Sequence, residues 1–275
     1  YVIPYAEALI FSNQNKEAIN TYKNLVLAQG LSLELAHQIK QLYIQTDAAK
    51  EGISYFEEVN VKYKNQADYL LILAELYELN AQDQKADETY YKILEVDPTN
   101  GHAHLHFFEK NELEGNLSQA LYHLSITVGD PNVLSDRKIK IIFGIFEQSE
   151  GNKALFISLD SMVNKLSTTH PNDAMVYSLS ADFHLQKNEI EEARDDFQRC
   201  LSLDPSLHLI WEQLLKLDND LNDLEAGNLH ANQAIELFPT SPKLYYYQGE
   251  IYRKQGKYKQ AIGLFELGKS YVVND

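Results

Sequence analysis

The chain has 275 residues, and its 24 Lys+Arg against 40 Asp+Glu give a formal charge of −16, with 44% hydrophobic and 23% charged residues. That apolar content excludes wholesale disorder, and the acid excess opposes a nucleic-acid sleeve, which needs Lys and Arg against phosphate. No apolar run exceeds the six residues of Ile141 to Phe146, far short of a bilayer span, and 12 Gly with 7 Pro are few for a chain of tight turns, so helices are expected.

The first residues already lie inside an apolar pattern (Val2, Ile3, Tyr5, Ala6, Leu9, Ile10). From Ala18 onward the same landmarks return at a fixed interval. Small residues fall at Ala18, Gly52, Ala86 and Ala120, each 34 apart, and again at Ala193, Gly227 and Ala261. Four residues after them stand Tyr22, Phe56, Tyr90, Leu124, Phe197, Ala231 and Phe265. Pro98, Pro205 and Pro239 each follow a small residue by 12. The interval from Ala120 to Ala193 is 73, which is twice 34 plus 5. The frame is therefore a truncated unit 1–32, units 33–66, 67–100 and 101–134, a longer unit 135–173, and units 174–207, 208–241 and 242–275. It divides the chain into an N-terminal block 1–134, the irregular unit 135–173 and a C-terminal block 174–275.

Each unit predicts two antiparallel helices. In 67–100, Leu70, Leu73, Ala74 and Tyr77 form an i, i+3, i+4, i+7 stripe. After a turn at Asn80 to Asp83, the second helix carries Ala86, Tyr90 and Ile93 and stops at Asp97-Pro98, because proline cannot continue a helix. Gly115 and Gly256 occupy the equivalent turns. A small residue lets the two helices approach, and the aromatic one turn later fills the space toward the next pair. The unit 135–173 lacks the small residue in its second helix (Leu155, Leu159, Met162, Leu166). Its Gly151 comes two residues late and Pro171 follows by 20 residues rather than 17. The extra residues are expected to divide between a longer first helix and a longer second helix or exit loop (Ser167 to His170).

These residues resemble the tetratricopeptide repeat family, whose unit is a 34-residue helix pair with small, aromatic and proline landmarks in this order. The match is fullest in 67–100 (Leu73, Ala74, Tyr77, Ala86, Tyr90, Pro98), 174–207 (Tyr177, Ala181, Ala193, Phe197, Pro205) and 242–275 (Tyr245, Gly249, Tyr252, Gly256, Ala261, Phe265). Unit 208–241 keeps Trp211, Leu214, Ala234 and Pro239 but departs at Asp218 and Ala231. The resemblance implies an all-α, right-handed superhelical solenoid of about seven and a half units, its concave face lined by first helices. It also implies a scaffold that binds a protein or peptide partner in that groove. The alternative is a recruiting or regulatory arm of a larger enzyme or signalling protein whose catalytic domain lies outside this chain.

Counting from the start of each unit, groove position nine holds Glu7, Gln41, Glu75, Glu109, Asp182, Lys216 and Glu250, and position twelve adds Glu78 and Glu112. This carboxylate ladder is expected to favour basic or amphipathic segments. Toward the C-terminal end, Lys216, Lys243, Arg253 and Lys254 join Tyr246 and Tyr247, a combination typical of interface hot spots. The alternative for these tyrosines is packing on a following helix. The carboxylate-clamp subclass is not expected, since no three consecutive units supply its Lys and Asn set.

No metal, cofactor or catalytic activity is expected. His102 and His106 lie one turn apart with Glu109 following, a spacing that could hold zinc but is far less specific than a metalloprotease motif; ordinary polar lining is the simpler reading. His104, on the opposite face, reads as a core histidine, and Cys200 as a buried spacer. No phosphate loop or nucleophile elbow is present. The apolar face of the last helix (Ala261, Ile262, Leu264, Phe265, Leu267) allows end-to-end self-association, whereas neither nucleic-acid binding nor membrane insertion by this segment is expected. One cysteine fits a cytoplasmic or a periplasmic, cell-envelope setting alike, and the scarcity of Arg (137, 194, 199 and 253 only) resembles an AT-rich bacterial genome.

Overall fold

The computed structural model describes residues 1–148 and 151–272. Among them are sixteen α-helices and no strand. The helices come in pairs: α1 (Val2–Phe11) with α2 (Asn15–Gln29), α3 (Leu33–Gln45) with α4 (Ala49–Lys62), α5 (Ala67–Leu79) with α6 (Asp83–Val96), and α7 (Gly101–Leu113) with α8 (Leu117–Thr127). Then follow α9 (Ser135–Glu147) with α10 (Lys153–Thr169), α11 (Ala174–Gln186) with α12 (Ile190–Leu203), α13 (His208–Asp220) with α14 (Leu224–Leu237), and α15 (Pro242–Lys254) with α16 (Tyr258–Ser270). The fold is an all-α helical-repeat solenoid. It divides into two compact units, Tyr1–Asn132 and Val133–Asp275, and the long repeat 135–173 falls within the second.

The turn inside each pair has one chemistry. At repeat position fifteen the backbone is left-handed whatever the residue: Asn13, Asp47, Ala81, Asn188 and Asn222 have φ between 52° and 61°, and Gly115 and Gly256 have φ 75°. That residue lets the next amide reach back into the finished helix, as Gln82 N–H does to Tyr77 O at 2.9 Å and Asp223 N–H to Asp218 O at 2.9 Å. The helix end thereby satisfies carbonyls that would otherwise be orphaned. Side-chain caps open several helices; Ser32, Asn100, Asp173 and Asp223 accept from the first-turn amides of α3, α7, α11 and α14.

The landmark residues are the core. Ala18, Ala86, Ala120 and Ala193 are fully buried, and the aromatic landmarks Tyr22, Phe56, Tyr90 and Phe197 are buried with them. At Gly52 a Cβ would stand 2.9 Å from the Tyr43 ring, closer than carbon atoms pack, so the helix crossing admits no side chain there.

The long repeat corrects one expectation. Its first helix, α9, has 13 residues, the same as α5 and α11, and is not lengthened. The second, α10, has 17 residues against 14 in α6 and α12. The remaining extra residues fall between Glu147 and Lys153, where Gly151 takes the left-handed turn at φ 79°. In unit 101–134, by contrast, α8 stops after 11 residues. The chain then folds back so that the Asp130 carboxylate accepts the Gly101 amide at 2.6 Å.

Within each unit the first helices of neighbouring repeats touch, α3 against α5, α9 against α11, and α13 against α15. They form a wall whose outward side chains are the candidate binding groups.

Candidate functional site

The expected groove residues divide between the two compact units. On the first, Glu7, Gln41 and Glu112 are exposed, while Glu75 and Glu109 are half-buried. The acids are not a free ladder. Glu75 accepts from the Lys40 ammonium at 2.6 Å, and Lys40 reaches it from the preceding repeat with a side chain only 11% exposed.

Glu78 belongs to a denser cluster across α5, α6 and α7. Its carboxylate meets His106 Nδ1 at 2.7 Å and the Tyr90 hydroxyl at 3.1 Å. The second ring nitrogen of His106 meets Asp87 at 2.7 Å, Lys110 donates to the same carboxylate, and Tyr90 stacks on the imidazole with centroids 4.0 Å apart. Burial opposes charge on His106, but the hydrogen bonds and negative charges of Glu78 and Asp87 prevail and hold its pKa above the usual 6.5. On Asp87, burial is likewise outweighed by Lys110 and His106, which keep its pKa below the ordinary value.

The same contacts bear on His102, His106 and Glu109, the candidate zinc set. Both nitrogens of His106 are engaged by carboxylates from other helices, and among the described residues no three His, Cys, Asp or Glu side chains group so as to hold a metal ion. His104 is buried; its Nε2 donates to the Pro98 carbonyl at 3.0 Å, and its Nδ1 shares a hydrogen bond of 2.8 Å with His123 Nδ1. Burial, followed by the nearby His104, lowers the His123 pKa.

On the second unit, α9 and α11 enclose a cleft of about 390 Å³. Ile139, Phe143, Met175 and Leu179 make its apolar lining, with Asp136, Lys140 and Asp182 also contributing. Phe143 is 40% and Met175 42% exposed. Asp182 is half-buried, and burial alone pushes its pKa up to about 6. No ion pair or hydrogen bond reaches its carboxylate among the described residues. The difference from Glu75 is a matter of register: the repeat position that supplies Lys40 to Glu75 holds Ile142, fully buried, in the unit before Asp182.

The C-terminal cations are mostly engaged. Lys243 donates to Glu212 at 2.7 Å and Arg253 to both oxygens of Glu250 at 3.0 and 2.7 Å, whereas Lys216 is exposed on α13. Tyr246 is 52% exposed and lies edge-on to the half-buried Tyr247. Cys200 is buried, and that burial pushes its thiol up to about 11, leaving it a packing residue rather than a nucleophile.

Two features escaped the sequence reading. The α9–α11 cleft was signalled only by Ile139 and Phe143 at i, i+4 beside Met175. A groove of about 580 Å³ on the second-helix side, based on Trp211, Leu201 and Leu214 between α12 and α14, had no signal beyond Trp211 itself, whose indole N–H donates to Pro205 O at 2.9 Å.

Comparison with known proteins adds the following. Residues 175–207 and 230–263 match family models described as tetratricopeptide repeat, the first coinciding with unit 174–207 to within one residue at its start. No curated protein matches the chain. Similar solved structures include a crystal structure of MamA protein, at 14% identity and TM-score 0.47 over 62% of this chain and 91% of that one. Another is YrrB, a TPR protein with an unusual peptide-binding site, at 13% identity and TM-score 0.42 over 78% and 91%. A third is the APC/C hetero-tetramer Cut9-Hcn1, at 14% identity and TM-score 0.42 over 100% and 53%.

Proposed function

The chain belongs to the tetratricopeptide repeat family, and from that premise we propose that it is a non-catalytic protein-interaction scaffold whose first-helix walls hold a partner protein or peptide, preferring basic or amphipathic segments. The observation that carries this reading is the exposure of large apolar side chains on first helices of the second unit: Phe143 on α9, Met175 on α11 and Tyr246 on α15 are 40%, 42% and 52% exposed. Left in water they forgo about 25 cal/mol per Å² of burial, and a segment laid against the wall recovers it. The acid excess supplies the second half of the preference. With a net −16, a cationic segment is drawn in from beyond contact range, more strongly at low salt, and an acidic one is repelled.

A rigid wall also spares the receptor side the ordering that a flexible binding loop would undergo. The test is site-specific photocrosslinking. A photoreactive residue at Met175 or Tyr246 is expected to trap partner, whereas one at Glu191, exposed on the second helix α12, is expected to trap none. Equal trapping at Glu191 overturns the assignment of the binding face.

A further inference from the structure

We propose that the cleft between α9 and α11 is a two-part anchor: its apolar lining takes one aliphatic or aromatic side chain of the partner, and Asp182 takes the ammonium or guanidinium of an adjacent Lys or Arg. The inference rests on the first-helix reading above and names what that face selects.

The cleft alone would accept any apolar side chain of the right size. Asp182 makes it selective. Elsewhere on the first helices, half-buried or buried acids are matched from within the chain: Glu75 by Lys40, Glu212 by Lys243, Glu250 by Arg253. Asp182 lacks such a match because Ile142 stands where the earlier repeat has Lys40. Lys140 and Asp136 contribute to the same cleft from α9, and neither pairs with it.

A partner covering the cleft removes more water from this carboxylate. If the partner brings no positive charge, the desolvation is uncompensated and opposes binding. If it brings Lys or Arg beside the apolar anchor, the carboxylate gains a charge-assisted hydrogen bond in a partly dry setting, where such bonds are strongest. Acidic segments meet like charge as well as desolvation. The cleft therefore selects by penalising the wrong partner as much as by rewarding the right one.

The test uses a phage-displayed random dodecapeptide library selected on the whole chain at neutral pH, with photocrosslinking from Met175 to confirm the face. Enriched peptides are expected to pair an aliphatic or aromatic residue with Lys or Arg. Fluorescence anisotropy with one such peptide should show affinity falling about tenfold or more for Asp182→Asn. It should fall by a similar factor when the peptide's cation is replaced by Leu, with little further loss when both changes are combined. Asp182→Lys provides the second arm and should turn the enrichment toward acidic peptides, its fold checked by an unchanged far-UV spectrum. Peptides that crosslink at Met175 yet bind wild type and Asp182→Asn equally would overturn the anchor while leaving the scaffold reading intact. Selected peptides that never crosslink at Met175 would overturn both.

Discussion

The two compact units treat the same repeat position differently. In the first, Glu75 is matched by Lys40 from the neighbouring repeat, and Glu78 is tied into the His106, Asp87 and Lys110 cluster. In the second, Asp182 stands at the equivalent place of its own repeat with burial but no counter-charge. At the place shared by Glu75 and Asp182, one wall is electrostatically closed and the other is open. The lesson is that a column of acids along a repeat protein is not a uniform surface: what faces each acid from the preceding repeat decides whether it is structural or available.

The strongest way to break this contrast is to open the closed wall. Lys40→Met leaves Glu75 half-buried and unmatched, and removing one partner of a buried pair costs more than the pair contributes. Because the Glu75 side chain keeps 33% exposure, the expected loss is about 1–3 kcal/mol, below the figure for a fully buried pair. Chemical denaturation followed by hydrogen exchange should place the loss in residues 33–100. A variant as stable as wild type would show that Lys40 and Glu75 do not form a structural pair.

A smaller effect, opposite in sign, is expected on the open wall. Asp182 has its folded pKa raised from 3.8 to about 6 by burial, so between those values the native state holds a proton that the unfolded state has released. Stability from this group is therefore full below the unfolded value, declines as pH rises, and is lost above about 6. Asp182→Asn should be more stable than wild type by about 1–2 kcal/mol at neutral pH, after allowance for residual solvent screening, and indistinguishable from it in acid. His106 provides the counterpart in the first unit. Its folded pKa also lies above the unfolded value, so its contribution is present at pH 6.5 and lost as pH rises through the higher folded value. Hydrogen exchange across a pH series should therefore show the second unit losing protection as pH rises from 3.8 to about 6, and the first unit losing it only as pH rises above 6.5.

Most of the fold was legible because its determinants are local and periodic. Ala86 and Ala193 mark helix crossings wherever they occur in the frame, and both are fully buried. The long repeat was legible only in total length: spacing between Gly151 and its neighbours counts residues but does not say where α9 stops, which the left-handed turn settles. The site was less legible for a related reason. His106, His102 and Glu109 invite grouping because they share one helix, yet the carboxylates that hold His106 come from α5 and α6, contacts that no single-helix spacing reveals. The contrast between Glu75 and Asp182 was present in the sequence as Lys40 against Ile142, but it appears only when one repeat is read against the next, since the pair forms between stacked units rather than within one.

The smallest expected effect concerns the turns, where the two units again differ. Repeat position fifteen requires φ near +55° to +75°, and Ala81 meets it in the first unit at 52° while Gly256 meets it in the second at 75°. An L-residue in that region strains its Cβ against the backbone by roughly 1–2 kcal/mol, while glycine escapes the strain but loses more freedom on folding. Ala81 is exposed, so its methyl contributes no packing to offset the strain. A Cβ added at Gly256 would meet nothing within 4 Å, so substitution there acts through the backbone alone. Ala81→Gly should therefore stabilise the chain by about 0.5–1 kcal/mol, and Gly256→Ala should destabilise it by a similar amount. Thermal melts of the two variants and of the double variant check this directly; the double variant should return close to wild type, because the two turns lie in different compact units and share no partner.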